Sequence, residues 1–489
     1  IYVYAFDGCT GLTTIELNTG LDTVGSYAFQ GCTGLTTIEL NEGLDTVGSY
    51  AFQGCTALRA VTTPESLTKI NSYAYSGCTG LNSVTLNEGL ISIGNYAFQN
   101  CTGLKSIAIP ETVTLLNVGV FNGCSGLTEV DLPETLTTIY VYAFQNCTSL
   151  VSIDIPDSVT AIAARAFYKC TKLAEVGYPA GWTTLLDYYY SSTDRIDNYS
   201  NGHSYYTSPF EGCSALKKIT VDEGVAFIPK HAFRYVTALE EVVLPETIAR
   251  FGDMAFTYAA NLKKVNIPEH ITEIGSCAFG STGIEQIKLP SGLQRIMTEA
   301  FRNTGLKSIE LPDTLTFIDK DAFADCKNLQ AIYIPENVAE IGIRAFWGCE
   351  NLNSLVVSEK NRHYVSENNI LYTADKTELL AAACGIDVDL QSDVSQFVDD
   401  GLDLMHGQAL FGDIDHDIFA GDVPVIFPVL AVCIGQSLLQ PLYHVINRNA
   451  LDLFQLPQGG EDLSTDVYLR CFGLLLGIFS GCHFSFLLL

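Results

Sequence analysis

Most of the residue patterns that announce chemistry are missing from this chain. It has no C-x-x-C pair, so a cysteine-rich zinc site has no framework. It also has no G-x-S-x-G and no P-loop, and His406, His416, His444 and His483 have neither zincin spacing nor a paired carboxylate. Asp413, Asp415 and Asp417 alternate like calcium ligands, but Ile418 stands where an EF-hand loop needs Gly and no Glu follows at the twelfth position. No catalytic residue, metal or cofactor is therefore expected. Basic residues are scarce too: 26 Lys and Arg face 55 Asp and Glu, for a net charge of −29. Residues 1–384 hold 24 against 41 (−17) and residues 385–489 hold 2 against 14 (−12), so both parts are acidic. That argues against nucleic acid or an anionic membrane as partner and favours solubility of a long exposed body. The N-terminus lacks an initiator Met, a basic segment and an apolar segment, and its IYVYAF matches Ile139 to Phe144, so the chain reads as a fragment opening in mid-coil.

What the chain has is a period. An aromatic anchor, usually after Ala, stands at Phe6, Phe29, Phe52, Tyr75, Phe98, Phe121, Phe144 and Phe167, then at Phe210, Phe233, Phe256, Phe279, Phe301, Phe323 and Phe346. Eleven of the fourteen spacings are 23 residues, two are 22 and one is 43. A repeat of that length is the mark of a solenoid, since one unit cannot bury its own apolar side and stacking supplies the core.

One unit, LTTIELNEGLDTVGSYAFQGCTA at residues 35–57, has two halves. Leu35, Ile38 and Leu40 form an L-x-x-I-x-L strand segment, with Thr37, Glu39 and Asn41 assigned to the opposite, solvated face. Val47, Ala51, Phe52 and Cys55 are spaced by four, five and eight, which suits a short helix or helical turn on the core. The expected fold is an α/β solenoid of about 15 coils, with short stacked parallel strands and short helical turns on the other face. Eleven of the 16 cysteines stand three residues after an anchor, while Val236 and Ala259 take that place elsewhere. The position thus asks for a small apolar group. Neighbouring coils bring such Cα atoms close, but their parallel Cβ bonds suit an S–S bridge poorly. Buried free thiols are the favoured reading, with a disulfide ladder or metal sites as the alternatives.

The unit L-x-x-I-x-L-P-E-x-L-x-x-I-G-x-x-A-F-x-G-C-T-x-L, visible at Leu127 to Leu150 and Leu329 to Leu352, resembles the BspA-like class of leucine-rich repeat. The resemblance covers residues 1 to about 383 and implies a cell-surface or secreted protein that attaches to extracellular host proteins. Residues 356–383 resemble the modified segment that closes such arrays, with strands at Ile370 to Thr373 and Glu378 to Ala381 around a turn at Ala374 to Lys376. A hairpin there caps the last coil or, alternatively, serves recognition.

Outward strand positions form columns at Thr37, Glu39, Asn41, Ser83, Thr85, Asn87, Glu129, Asp131, Ser152, Asp154 and Glu175. Short, polar or acidic, they suit a protein or glycan ligand such as host matrix or a cell surface. A 30-residue interruption at 180–209 carries Tyr188, Tyr189, Tyr190, Tyr199, Tyr205 and Tyr206 among small polar residues, the composition of adaptable binding loops. A passive insertion is the alternative. Asn198-Tyr199-Ser200 is a glycosylation sequon in a eukaryotic secretory host. From residue 384 the repeat is gone, and residues 471–489 form an apolar run long enough to span a bilayer. That tail reads as an anchor, a degraded or misframed terminus, or an unfamiliar small domain. Three functional readings stand: an adhesin-like binding scaffold, a purely structural surface spacer, and the binding module of a larger enzyme.

Overall fold

The computed structural model describes residues 1–186 and 207–383. The tail from 384, including the apolar run at 471–489, and Tyr188, Tyr189, Tyr190, Tyr199, Tyr205 and Tyr206 lie outside the described residues. The chain coils into a parallel β-solenoid of about 14 turns.

Most coils make two short strands, and the two coils around residues 284–290 and 306–311 keep only the second. The first is typified by Thr37–Glu39, whose residues pair in register with those 23 earlier, Thr14↔Thr37 through Glu16↔Glu39. The second is a two-residue strand such as Thr46–Val47, paired in parallel with Thr23–Val24 on one side and Lys69–Ile70 on the other. The alternation of exposed Thr37, buried Ile38 and exposed Glu39 is the period-2 pattern the residues call for.

The remaining side is not helical, which corrects the expectation of helical turns: among the described residues there is no helix. The reason is visible in the donors of residues 27–32. Ala28, Gln30 and Cys32 donate three residues back within their coil, to Gly25, Tyr27 and Phe29. Tyr27, Phe29 and Gly31 donate instead to Ser49, Ala51 and Gln53 of the next coil. A helix needs every N–H directed along its own axis, and here half of them knit the stack. The zigzag requires a left-handed residue every fourth position, and Tyr27 (φ 60°) and Gly31 (φ 68°) supply it. Apolar offsets of four, five and eight therefore serve a chain of turns as well as a helix.

The core is one column of rings. Phe6, Phe29, Phe52, Tyr75 and Phe98 stack at centroid separations of 5.0, 5.2, 5.2 and 5.4 Å, and the column continues without a gap to Phe346. It bridges the long interruption, since Phe167 and Phe210 stack at 5.3 Å. The interruption is also shorter than the sequence suggests: Thr184–Leu186 still pairs with Ala161–Ala163 as a regular coil strand, and Trp182 is buried in the core. Pro179-Ala180-Gly181-Trp182-Thr183-Thr184 aligns with Pro133 to Thr138, with Pro179, Thr183 and Thr184 identical and Trp182 in the place of the apolar Leu136, the signal by which it was recognisable.

The cysteines are free and, apart from Cys9 and Cys277, buried among the described residues. They do more than fill space. Cys32 Sγ donates to the Phe6 carbonyl at 3.1 Å, Cys55 to Phe29 at 3.1 Å, Cys78 to Phe52 at 3.1 Å and Cys101 to Tyr75 at 3.2 Å. Each thiol thus reaches one coil back to the anchor's carbonyl. Burial pushes Cys55 and Cys124 up to about 12, so these thiols stay protonated and unreactive.

At the C-terminal end Tyr364–Glu367, Ile370–Thr373 and Leu379–Ala382 form an antiparallel sheet. Its side chains meet the donors an ended stack leaves over: Leu355 N–H donates to Asn369 Oδ1 at 3.2 Å, Val357 N–H to Ser366 Oγ at 2.9 Å and Ile341 N–H to Tyr364 Oη at 2.8 Å. The first of the three strands is absent from the two-strand hairpin read in the sequence.

Candidate binding faces

The strand face carries in-register columns. Thr37, Glu39, Ser83, Thr85, Glu129, Asp131, Ser152, Asp154 and Glu175 are all exposed on it. Ser106 pairs beside Glu129 and Ala108 beside Asp131, while Glu16 pairs beside Glu39, so small side chains and carboxylates are interspersed from coil to coil. Asp154 leans toward its neighbour, because Gly177 leaves room: a Cβ there would lie 2.1 Å from Asp154 Oδ1. Beyond the interruption the face changes to paired charges, with Lys218–Glu241 at 3.1 Å and Lys217–Glu240 at 2.9 Å.

Asn41 and Asn87 do not belong to this face; both are buried. Asn87 Nδ2 donates to the carbonyls of Glu65 and Leu67 at 3.2 and 3.1 Å, and its Oδ1 accepts from Thr63 Oγ1 at 2.7 Å. Asn41 Nδ2 donates to Leu21 O at 2.9 Å. The strands end at Glu39 and Thr85, so period 2 cannot be extended two residues further. The chain turns inward where other coils place Pro64, Pro110 and Pro133, also buried, and there Asn87 pairs both ends of its amide while Asn41 pairs only its Nδ2.

The turn face was not singled out in the sequence, and it holds the molecule's ladders. Its first left-handed position is filled by Tyr4, Tyr27, Tyr50, Tyr73 and Tyr96. Their rings stack at 4.7, 4.7, 4.7 and 5.0 Å, nearly parallel, and Tyr27, Tyr50, Tyr73 and Tyr96 are half-buried. The residue after each anchor forms a second column, in which Gln30 Nε2 donates to Gln53 Oε1 at 2.7 Å. The second left-handed position is a third column, Gly8, Gly31, Gly54 and Gly77, where an added Cβ meets nothing nearer than 3.7 Å.

In later coils the same three columns take up charge at several positions, while Tyr235 and Tyr258 of the third still stack at 4.7 Å, and the ion pairs show that the columns share one face. Arg165, of the first column, meets Glu211, of the second, at 3.0 Å. Arg302, of the second, reaches Glu299 of the first at 3.1 Å and Asp325 of the third at 3.3 Å. Asp321 is buried beneath a two-point contact from Arg344, Nε at 2.8 Å and Nη2 at 2.6 Å. Here a groove of about 510 Å³ opens along Arg234, Met254, Tyr258, Cys277, Glu299 and Arg302. Burial, reinforced by the Glu299 carboxylate, raises Cys277 to about 12, so the groove offers no thiolate nucleophile. Burial, with Arg234 and Lys230 nearby, lowers His231 to about 3, so that imidazole is neutral at physiological pH. Among the described residues no cluster of His, Cys, Asp or Glu is arranged to hold a metal, and no helix is long and apolar enough to cross a membrane.

Comparison with known proteins agrees with this architecture. Residues 1–125, 91–207, 190–283 and 272–375 match the family model of the BspA type leucine rich repeat region, which comprises 6 copies of the repeat. A leucine-rich repeat protein from Bacteroides ovatus is 26% identical, with a TM-score of 0.51, over 71% of this chain and 82% of its own. A leucine rich cell surface protein from Faecalibacterium prausnitzii is 27% identical over 71% of this chain and 88% of its own, with a TM-score of 0.36. A leucine-rich repeat protein of T. pallidum is 35% identical over 31% of this chain and 70% of its own, with a TM-score of 0.30. No curated protein matches, and no enzyme family is indicated.

Proposed function

The chain belongs to the BspA type leucine-rich repeat family, a family of surface proteins, and from that premise we propose that it is a non-catalytic, cell-surface or secreted protein that binds an extracellular protein or glycan in the manner of an adhesin. The observation that carries this reading is the strand face: from Thr14 to Glu175 short side chains, mostly polar or acidic with Ala60 and Ala108 among them, stand exposed, coil after coil, in register. Such a surface makes many small hydrogen-bonding contacts instead of one enclosed site, and its affinity accumulates over length. The acidic character directs it toward neutral or basic partners. The Tyr-rich interruption is the second element of the proposal.

The test is attachment of the full chain to immobilised extracellular matrix proteins and to a glycan array. Exchange of Glu39, Glu129 and Asp131 for Lys is expected to reduce binding by tenfold or more, about 1.4 kcal/mol, with the fold unchanged by circular dichroism. Exchange of Tyr188, Tyr189, Tyr190, Tyr205 and Tyr206 for Ser is expected to reduce it further. A wild-type chain that attaches to nothing would support the spacer role, and attachment indifferent to both sets would move the binding surface elsewhere.

A further inference from the structure

The six consecutive turn segments at residues 25–34, 48–57, 71–80, 94–103, 117–126 and 140–149 contain no Asp, Glu, Lys or Arg. In a chain with a net charge of −29, this is a long uncharged strip. Along it run the tyrosine ladder, the Gln30–Gln53 amide contact and the glycine rail of Gly31, Gly54 and Gly77. Thr33, Thr56 and Thr79 stand exposed beside the rail. Stacked aromatics, amide ladders and a flat rail at one repeat distance are the elements from which dry interfaces between stacked sheets are built.

The geometry points to a partner with the same repeat. The tyrosine rungs are 4.7 Å apart, which is the spacing between stacked strands, whereas residues along an extended peptide advance by about 3.3 Å and fall out of step within a few rungs. The ring faces are occupied by one another, which leaves edges and no open aromatic face for a sugar to stack on. We propose that this strip is a homotypic contact surface, on which a second copy of the chain docks, the tyrosine and glutamine ridge of one copy lying along the glycine rail of the other. The net charge of −29 sets two copies against each other as whole molecules, and across this strip neither presents a charged side chain. Six turn segments at that spacing give a strip about 25 Å long and of the order of 10 Å wide, well below the roughly 800 Å² per partner of a stable dimer. The contact is therefore weak for one pair and becomes strong where many copies are displayed side by side. It is independent of the ligand-binding reading above.

Sedimentation equilibrium of the full chain, from micromolar to millimolar concentration at low and high salt, tests it. The average mass is expected to rise with concentration, and more steeply at high salt, where the repulsion between acidic copies is screened. The variant with Gln30→Glu, Gln53→Glu and Gln99→Glu is expected to remain monomeric, as is a second variant with Thr33→Glu, Thr56→Glu and Thr79→Glu, which leaves the amide ladder intact. A control with Thr14→Glu, Thr37→Glu and Thr85→Glu has the same net charge but is altered on the strand face, and should associate like the wild type. A wild-type chain monomeric throughout, or association unchanged in both strip variants, would overturn the proposal. So would a monomeric wild type whose attachment to matrix protein or glycan disappears in the strip variants, since the strip would then serve a foreign ligand.

Discussion

Before residue 150 and after residue 160 the same backbone turn is built from opposite materials. In the earlier coils the first left-handed position holds Tyr27, Tyr50, Tyr73, Tyr96 and Tyr142, with Gly119 between; in the later ones it holds Arg165, His231, Glu299, Asp321 and Arg344, with Met254 and Cys277 among them. The earlier coils are linked along this face by stacked rings, and the later ones mainly by Arg165–Glu211, Arg302–Asp325 and Arg344–Asp321, with one further ring pair, Tyr235 and Tyr258, at 4.7 Å. The φ values are indistinguishable, near 60° in both. The fold therefore constrains the backbone and the inward Ala and Phe, and leaves the outward side chain free to serve something else. Ring stacking is indifferent to salt, while half-exposed ion pairs weaken with it.

The core column ought to be blind to this difference. Phe98→Ala and Phe256→Ala each empty a ring site between two stacked neighbours and are expected to cost about 3–5 kcal/mol, measured by denaturant unfolding and by hydrogen exchange of the flanking coils. A large cost in one half and a small one in the other would break the picture of a single shared core. Next in size is Arg344→Ala, which leaves the buried Asp321 carboxylate without its two-point partner; a loss of about 2–3 kcal/mol is expected. Tyr50→Asn removes two stacked contacts but places a residue better suited to positive φ, for a net loss of about 1 kcal/mol. Thermal melts in low and high salt sharpen the contrast: the gap between wild type and Arg344→Ala should narrow with salt and that for Tyr50→Asn should not.

Cys101→Ala removes the thiol's contact to the Tyr75 carbonyl and a small volume, and about 1 kcal/mol is expected. Val236→Cys in the later coils should be close to neutral, because the position accepts either side chain. The smallest effect is the response to pH. With its folded pKa lowered to about 3 from 6.5, His231 takes up a proton more readily in the unfolded chain. Its contribution is fully present above pH 6.5 and is lost as pH falls from there toward 3. Hydrogen exchange around residue 231 should accelerate between pH 6.5 and 5, beyond the intrinsic pH dependence, and His231→Asn should flatten that trend, while the coils at 25–149, which contain no histidine, show none of it.

Much of this structure was legible in the chain. The recurrence of Ala-Phe gave the coil and the core column, and the L-x-x-I-x-L pattern gave the strand and its exposed Thr37 and Glu39, because both rest on local periodicity. The second left-handed column was open to reading as well, since Gly31, Gly54, Gly77 and Asn100 are residue types that tolerate positive φ. Tyr27 and Tyr50 at the first gave no such signal, for an aromatic residue is seldom placed there. The helical expectation failed because spacing alone does not say where N–H groups point. Asn41 and Asn87 were misplaced because alternation was carried past the end of a three-residue strand.

The sequence by itself determined the period, the identity of the core and the family, since these follow from which residues recur and how often. Tertiary structure alone decided that the turns zigzag, that a thiol caps the carbonyl of the preceding anchor, that Asn87 serves Glu65 and Leu67, and that five tyrosines form one ladder. The physical reason is common to all four: each depends on an atom 20 to 26 residues away, brought within bonding distance only when one coil settles on the next.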